Sequence, residues 1–91
     1  MRVPYPKWAN SPDLDEAELR KRRLRFLIYH AALQVSAGPG TLKSLARAMG
    51  MTEQCLNASL SRGYVTRQVA TAIENAVGAD KITSGQLLAL D

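Results

Sequence analysis

The sequence predicts an all-α chain of about five helices. Three observations predict it. No run reads as a strand. Apolar residues recur at helical spacing in successive stretches. Between those stretches stand glycines and hydroxyl residues, placed where helices stop and start.

Length and composition set the frame. The 91 residues suit one small domain: an extended N-terminal arm over 1–12 and a helical unit over 13–91. A core of this size is modest, so a second copy would help stability. Lys and Arg outnumber Asp and Glu by four, and the sequence pI is about 9.6. That balance suits a polyanionic partner. No stretch approaches the ~18 consecutive apolar residues of a membrane span. The N-terminus lacks the apolar run of a signal peptide. The single cysteine cannot pair within the chain, which fits a reducing cytoplasm. The charge is uneven: residues 1–40 carry seven Lys or Arg against four acids, and residues 41–91 carry five against four.

In the arm, Pro4 and Pro6 disfavour a helix. Either this terminus is disordered, or Trp8 covers apolar surface on its own or a partner subunit. Ser11 or Asp13 is expected to start the first helix, with Pro12 in its first turn. Asp13, Asp15, Glu16 and Glu18 favour the positive end of the dipole. The pattern runs to about Val35 and is ended by Gly38-Pro39-Gly40. Leu24, Leu27, Ile28, Ala31 and Val35 make one apolar stripe. Leu19, Phe26 and Leu33, with Tyr29, make a second stripe well round the helix. One stripe serves the core; the second implies another surface to meet. That surface is a twin subunit or the Trp8 arm. The basic run Arg20 to Arg23, with Arg25, has two readings. It is a solvated face with Glu16–Arg20 and Glu18–Arg22 pairs, or it contacts phosphate.

The centre of the chain is the stretch from Leu42 to Ser61. Leu42, Leu45, Ala46 and Met49 share one helical face, and Gly50 ends that helix. Thr52 offers a hydroxyl to cap the next. There Leu56 and Leu60 point one way. Glu53, Gln54, Asn57, Ala58 and Ser61 fall within roughly 140° on the other face, at 100° per residue. Two helices joined by a short turn containing Gly form the helix-turn-helix unit, whose second helix enters the DNA major groove.

After Arg62-Gly63-Tyr64, Thr66 caps a fourth helix with Val69, Ala70, Ala72, Ile73, Ala76 and Val77 on one broad face. Gly78 ends it. Asp80-Lys81 is a turn. Thr83 or Ser84 caps a last short helix carrying Leu87, Leu88 and Leu90. No catalytic constellation, metal cluster or cofactor motif is expected. His30 is the only histidine and reads as structural or surface. Cys55 reads as a small core residue at the edge of the buried face. Gly38-Pro39-Gly40 lacks the ending of a phosphate loop.

The run Gly50-Met51-Thr52-Glu53-Gln54-Cys55-Leu56-Asn57-Ala58-Ser59-Leu60 resembles the G-V-x-Q-x-x-I-N-x-x-I segment of phage Cro and related Cro-like, lambda-repressor-like regulators. Gly63 falls where they place a glycine after the recognition helix. Ala72 to Gly78, followed by Ile82-Thr83, looks like the end of the YdaS-type prophage members. The resemblance covers about Thr41 to Leu90. It implies a dimeric operator-binding repressor with no enzymatic activity and no cofactor. The base-reading residues would be Glu53, Gln54, Asn57, Ala58 and Ser61. Gln54 leads, because the position matched by Asn57 often helps set the backbone. Glu53 departs from the common Gln of the family. Thr41, Lys43, Arg47, Thr52, Arg62 and Arg67 are the expected phosphate contacts. Leu19, Phe26, Tyr29 and Leu33 are the expected dimer surface, with Leu87, Leu88 and Leu90 as the other candidate. The alternative is an antitoxin-like or adaptor module that uses its long first helix to bind a partner protein.

Overall fold

The computed structural model describes residues 3–35 and 40–91. Among these are a short 3-10 turn, Lys7–Ala9, and five α-helices with no strand. The helices are α1 Glu16–Val35, α2 Leu42–Met49, α3 Glu53–Arg62, α4 Arg67–Val77 and α5 Ser84–Ala89. The all-α expectation holds.

The long α1 is the spine, packing against α2, α3, α4 and the 3-10 turn, while α5 packs on α4. Its first apolar stripe makes the centre of the core: Leu24, Leu27, Ile28 and Ala31 are fully buried, and Val35 packs at the edge. Leu45, Ala46, Leu56, Ala70, Ile73, Ile82 and Leu87 close on it from the other elements. The helix begins later than the sequence suggested. Ser11 is spent on a turn, in which its carbonyl accepts from Leu14 N–H at 3.3 Å. Pro12 fits the second position of such a turn. Asp15 then caps α1, its carboxylate accepting from Glu18 N–H at 2.8 Å. Ser36 to Pro39, the expected helix stop apart from Gly40, lie outside the described residues.

The α2–α3 junction follows from its residues. Gly50 N–H donates to Arg47 C=O at 3.1 Å, and Met51 N–H donates to Ala46 C=O at 2.9 Å. This double closure needs a left-handed residue, and Gly50 has φ 72°. The turn is three residues, Gly50 to Thr52. Thr52 has the extended backbone of a cap, but its hydroxyl makes no capping bond. Cys55 N–H bonds instead to Thr52 C=O at 3.1 Å, tightening the first turn of α3. By contrast Thr41, Thr66 and Thr83 cap α2, α4 and α5 through their hydroxyls.

The arm is part of the fold. Val3 is buried, and its N–H and C=O both bond the Gln86 side chain at 2.8 Å. Tyr5 and Trp8 meet the ring of Phe26 edge-on at 6.1 and 6.2 Å. Two arginines of the basic run tie the arm down. Arg22 donates to Trp8 C=O at 3.1 Å. Arg23 donates to Asn10 Oδ1 at 2.6 Å and Leu90 C=O at 2.8 Å, with its guanidinium 5.1 Å from the Tyr5 ring centre. The last turn is internal too. Leu87 and Leu90 are buried in the chain's own core, so that group offers no dimer surface beyond Leu88.

Candidate nucleic-acid interface

The second helix of the central pair has one anchored side and one free side. Leu56 and Ser59 are fully buried and Leu60 is half-buried, which fixes α3 against the core. Ser59 reaches the interior because its hydroxyl donates to Cys55 C=O at 3.1 Å, so no polar group is left unpaired there. Glu53, Gln54, Asn57 and Ser61 are exposed on the opposite side, with Ala58 half-buried at its edge. The five expected reading residues thus share one accessible face.

Cys55 corrects the sequence reading. It is exposed, not a core residue. Ser59 takes the inner position, which apolar spacing alone did not reveal. Cys55 and Ala58 instead line a cleft of about 410 Å³ with Thr52, Arg62, Thr66 and Gln68, floored by Met51 and Val69. Gln68, at the start of α4, is a polar group facing this cleft that sequence reasoning missed. It carries no motif, and only the approach of α4 to α3 brings it there.

The expected phosphate contacts divide. Lys43 and Arg47 are exposed four residues apart, on one face of α2. Arg62 and Arg67 are exposed at the end of α3 and the start of α4. Thr52 is exposed with its hydroxyl unused in capping. Thr41 is exposed, but its hydroxyl is engaged with Ser44, accepting from the N–H at 3.1 Å and bonding Oγ at 3.0 Å. Glu53 sits in the first turn of α3, where the helix dipole favours an acid. That accounts for a carboxylate on this face without a base contact.

The basic run of α1 splits around the helix. Arg22 pairs with Glu18 at 3.2 Å. The expected Glu16–Arg20 pair does not form. Arg20 and Lys21 instead line a second cleft, of about 370 Å³, with Ala17, Arg62, Gly63 and Tyr64. Arg62 lines both clefts, and its guanidinium lies 5.2 Å from the Tyr64 ring centre.

The second apolar stripe of α1 remains on the surface in part. Phe26 is half-buried under Tyr5 and Trp8 and stacks on His30 with ring centres 5.8 Å apart. Leu19 is half-buried. Trp8, Tyr29 and Leu33 stay 46%, 45% and 61% exposed. With Arg25, Phe26 and His30 they line a shallow apolar groove of about 260 Å³.

Among the described residues there is no group of three or more His, Cys, Asp or Glu able to hold a metal ion. None of the described helices is long and apolar enough to cross a membrane. Compared with models of protein families, with curated proteins and with solved structures, the chain has no significant match.

Proposed function

We propose that this chain is a cytoplasmic, sequence-specific DNA-binding regulator of the Cro-like kind, acting as a repressor through α3 seated in the major groove. The observation behind this reading is the division of α3. Leu56 and Ser59 anchor one side, and a short-chained polar face of Glu53, Gln54, Asn57 and Ser61 stays free. Gln54 is the leading base reader, because an amide can pair with adenine N6 and N7 together. Ala58 can touch a thymine methyl. Lys43, Arg47, Arg62 and Arg67 supply charge for the flanking backbone.

A gel-shift and site-selection experiment tests this. Purified chain should retard duplex DNA in a salt-dependent way and enrich a defined site from random sequence. Gln54→Ala should cost about 1–3 kcal/mol at that site and relax preference at one base pair. An unchanged preference profile for the variant would reject the assignment.

One helix-turn-helix reads few base pairs, so two copies spaced by roughly 34 Å suit an operator. The exposed Tyr29 and Leu33, beside Trp8, are the surface we assign to that pairing. The same patch supports the second reading, an adaptor or antitoxin-like module that binds a protein through α1. That module would leave duplex DNA unshifted.

A further inference from the structure

Resting on the DNA reading above, we infer that the cleft between α1 and the end of α3 binds a phosphate group of the nucleic-acid backbone. Arg20, Lys21, Arg62 and Tyr64 are its ligands. Three cations meet there from two distant parts of the chain, and no acidic residue lines the cleft. Arg20 and Lys21 form no ion pair, whereas Arg22, one position on, is held by Glu18 and Trp8. The convergence is built into the backbone. Gly63 turns the chain at φ 85°, and a Cβ there would lie 2.7 Å from Lys21 Cγ. The missing side chain lets the lysine stem cross the end of α3. Tyr64, exposed beneath the Arg62 guanidinium, braces that arginine and offers a hydroxyl beside it.

The position suits a backbone phosphate. With 10 residues, α3 is about 15 Å long. The major groove is about 12 Å wide. A helix whose first turns read bases therefore overruns the groove, and its far end meets the phosphate wall. That end carries the negative pole of the helix dipole, which repels phosphate unless cations offset it. The α1 cations do so. They also supply the charge that residues 41–91 lack on their own.

The test is fluorescence anisotropy of a labelled duplex across a salt series, with wild type, Gln54→Ala and the double variant Arg20→Gln/Lys21→Gln. The double variant should bind specific and nonspecific duplex more weakly. Its slope of log affinity against log salt should shrink by about two units, at about 0.9 per contact. Its base preference and melting temperature should match wild type. An unchanged slope overturns the proposal. A large fall in melting temperature with an unchanged slope means the cations only stabilise the end of α3, and also overturns it. If wild type binds no duplex, the DNA reading fails separately. The cleft is then judged with pyrophosphate, following the Gly63 and Tyr64 amides by NMR. Shifts lost in the double variant keep a phosphate site that serves a free anion. No shift, or the same shift in the variant, rejects it.

Discussion

His30 lies against the ring of Phe26 on the half-covered face of α1. Burial holds its imidazole below the ordinary value of 6.5. The folded state therefore prefers the neutral ring, and the unfolded chain takes up a proton first as pH falls. The stability from this residue is full above 6.5 and is lost as pH drops from there through the folded value. Melts of His30→Gln from pH 8 down to 5 should show a smaller acid loss than wild type. Equal losses would assign the acid sensitivity to carboxylates. Gly63 carries a second expectation at this scale. An alanine there must adopt a left-handed backbone and displace Lys21, so Gly63→Ala should cost about 1–2 kcal/mol in denaturant titration. A neutral result would mean the turn relaxes freely. The glycine was legible from its place after the recognition helix; its contact with Lys21 was not. Residues 42 apart in sequence are brought together only by packing, and no local pattern encodes that.

At the scale of elements, spacing and capping located the helices well. Gly50, Gly63 and Gly78 stop α2, α3 and α4, where positive φ is needed. Thr41, Thr66 and Thr83 start the helices they were expected to start. The errors came where two polar residues compete for one role. Asp15 won the α1 cap from Ser11 and Asp13 because Ser11 was already closing a turn. Cys55 and Ser59 are both small. Ser59 went inside because it can pay its own hydrogen-bond debt one turn back. That exchange predicts a reactivity. Cys55 is exposed beside Thr52, Ala58 and Arg62, so a thiol reagent should modify the folded chain. Under the DNA reading, a bulky adduct there should weaken duplex binding at least as much as Gln54→Ala. Modification that leaves binding unchanged would place the duplex away from the α3–α4 cleft.

For the whole molecule, the uncovered part of α1 sets the open question of assembly. Tyr29→Glu or Leu33→Glu leaves the core untouched, since both side chains are surface groups. Either change should yield a folded monomer with weakened operator binding, read by sedimentation and anisotropy. A variant that remains dimeric moves the interface elsewhere. The second stripe was visible in the sequence, but its division was not. The arm covers Phe26, leaves Tyr29 and Leu33 open, and is itself held by Arg22, Arg23 and Gln86. The Gln86 clasp has a consequence for the order of folding. It joins residues 83 apart, whereas each helix and the α2–α3 turn close over a few positions. Bringing such distant ends together costs about 4 kcal/mol of chain entropy before the bonds return anything. The clasp should therefore form after the folding barrier, on a body that is already collapsed. Gln86→Ala, which strands the Val3 amide and carbonyl, should lower stability by about 1–3 kcal/mol. Stopped-flow kinetics should show nearly all of that loss as faster unfolding, with refolding at the wild-type rate. Slower refolding would mean that the two ends of the chain meet before the helices pack.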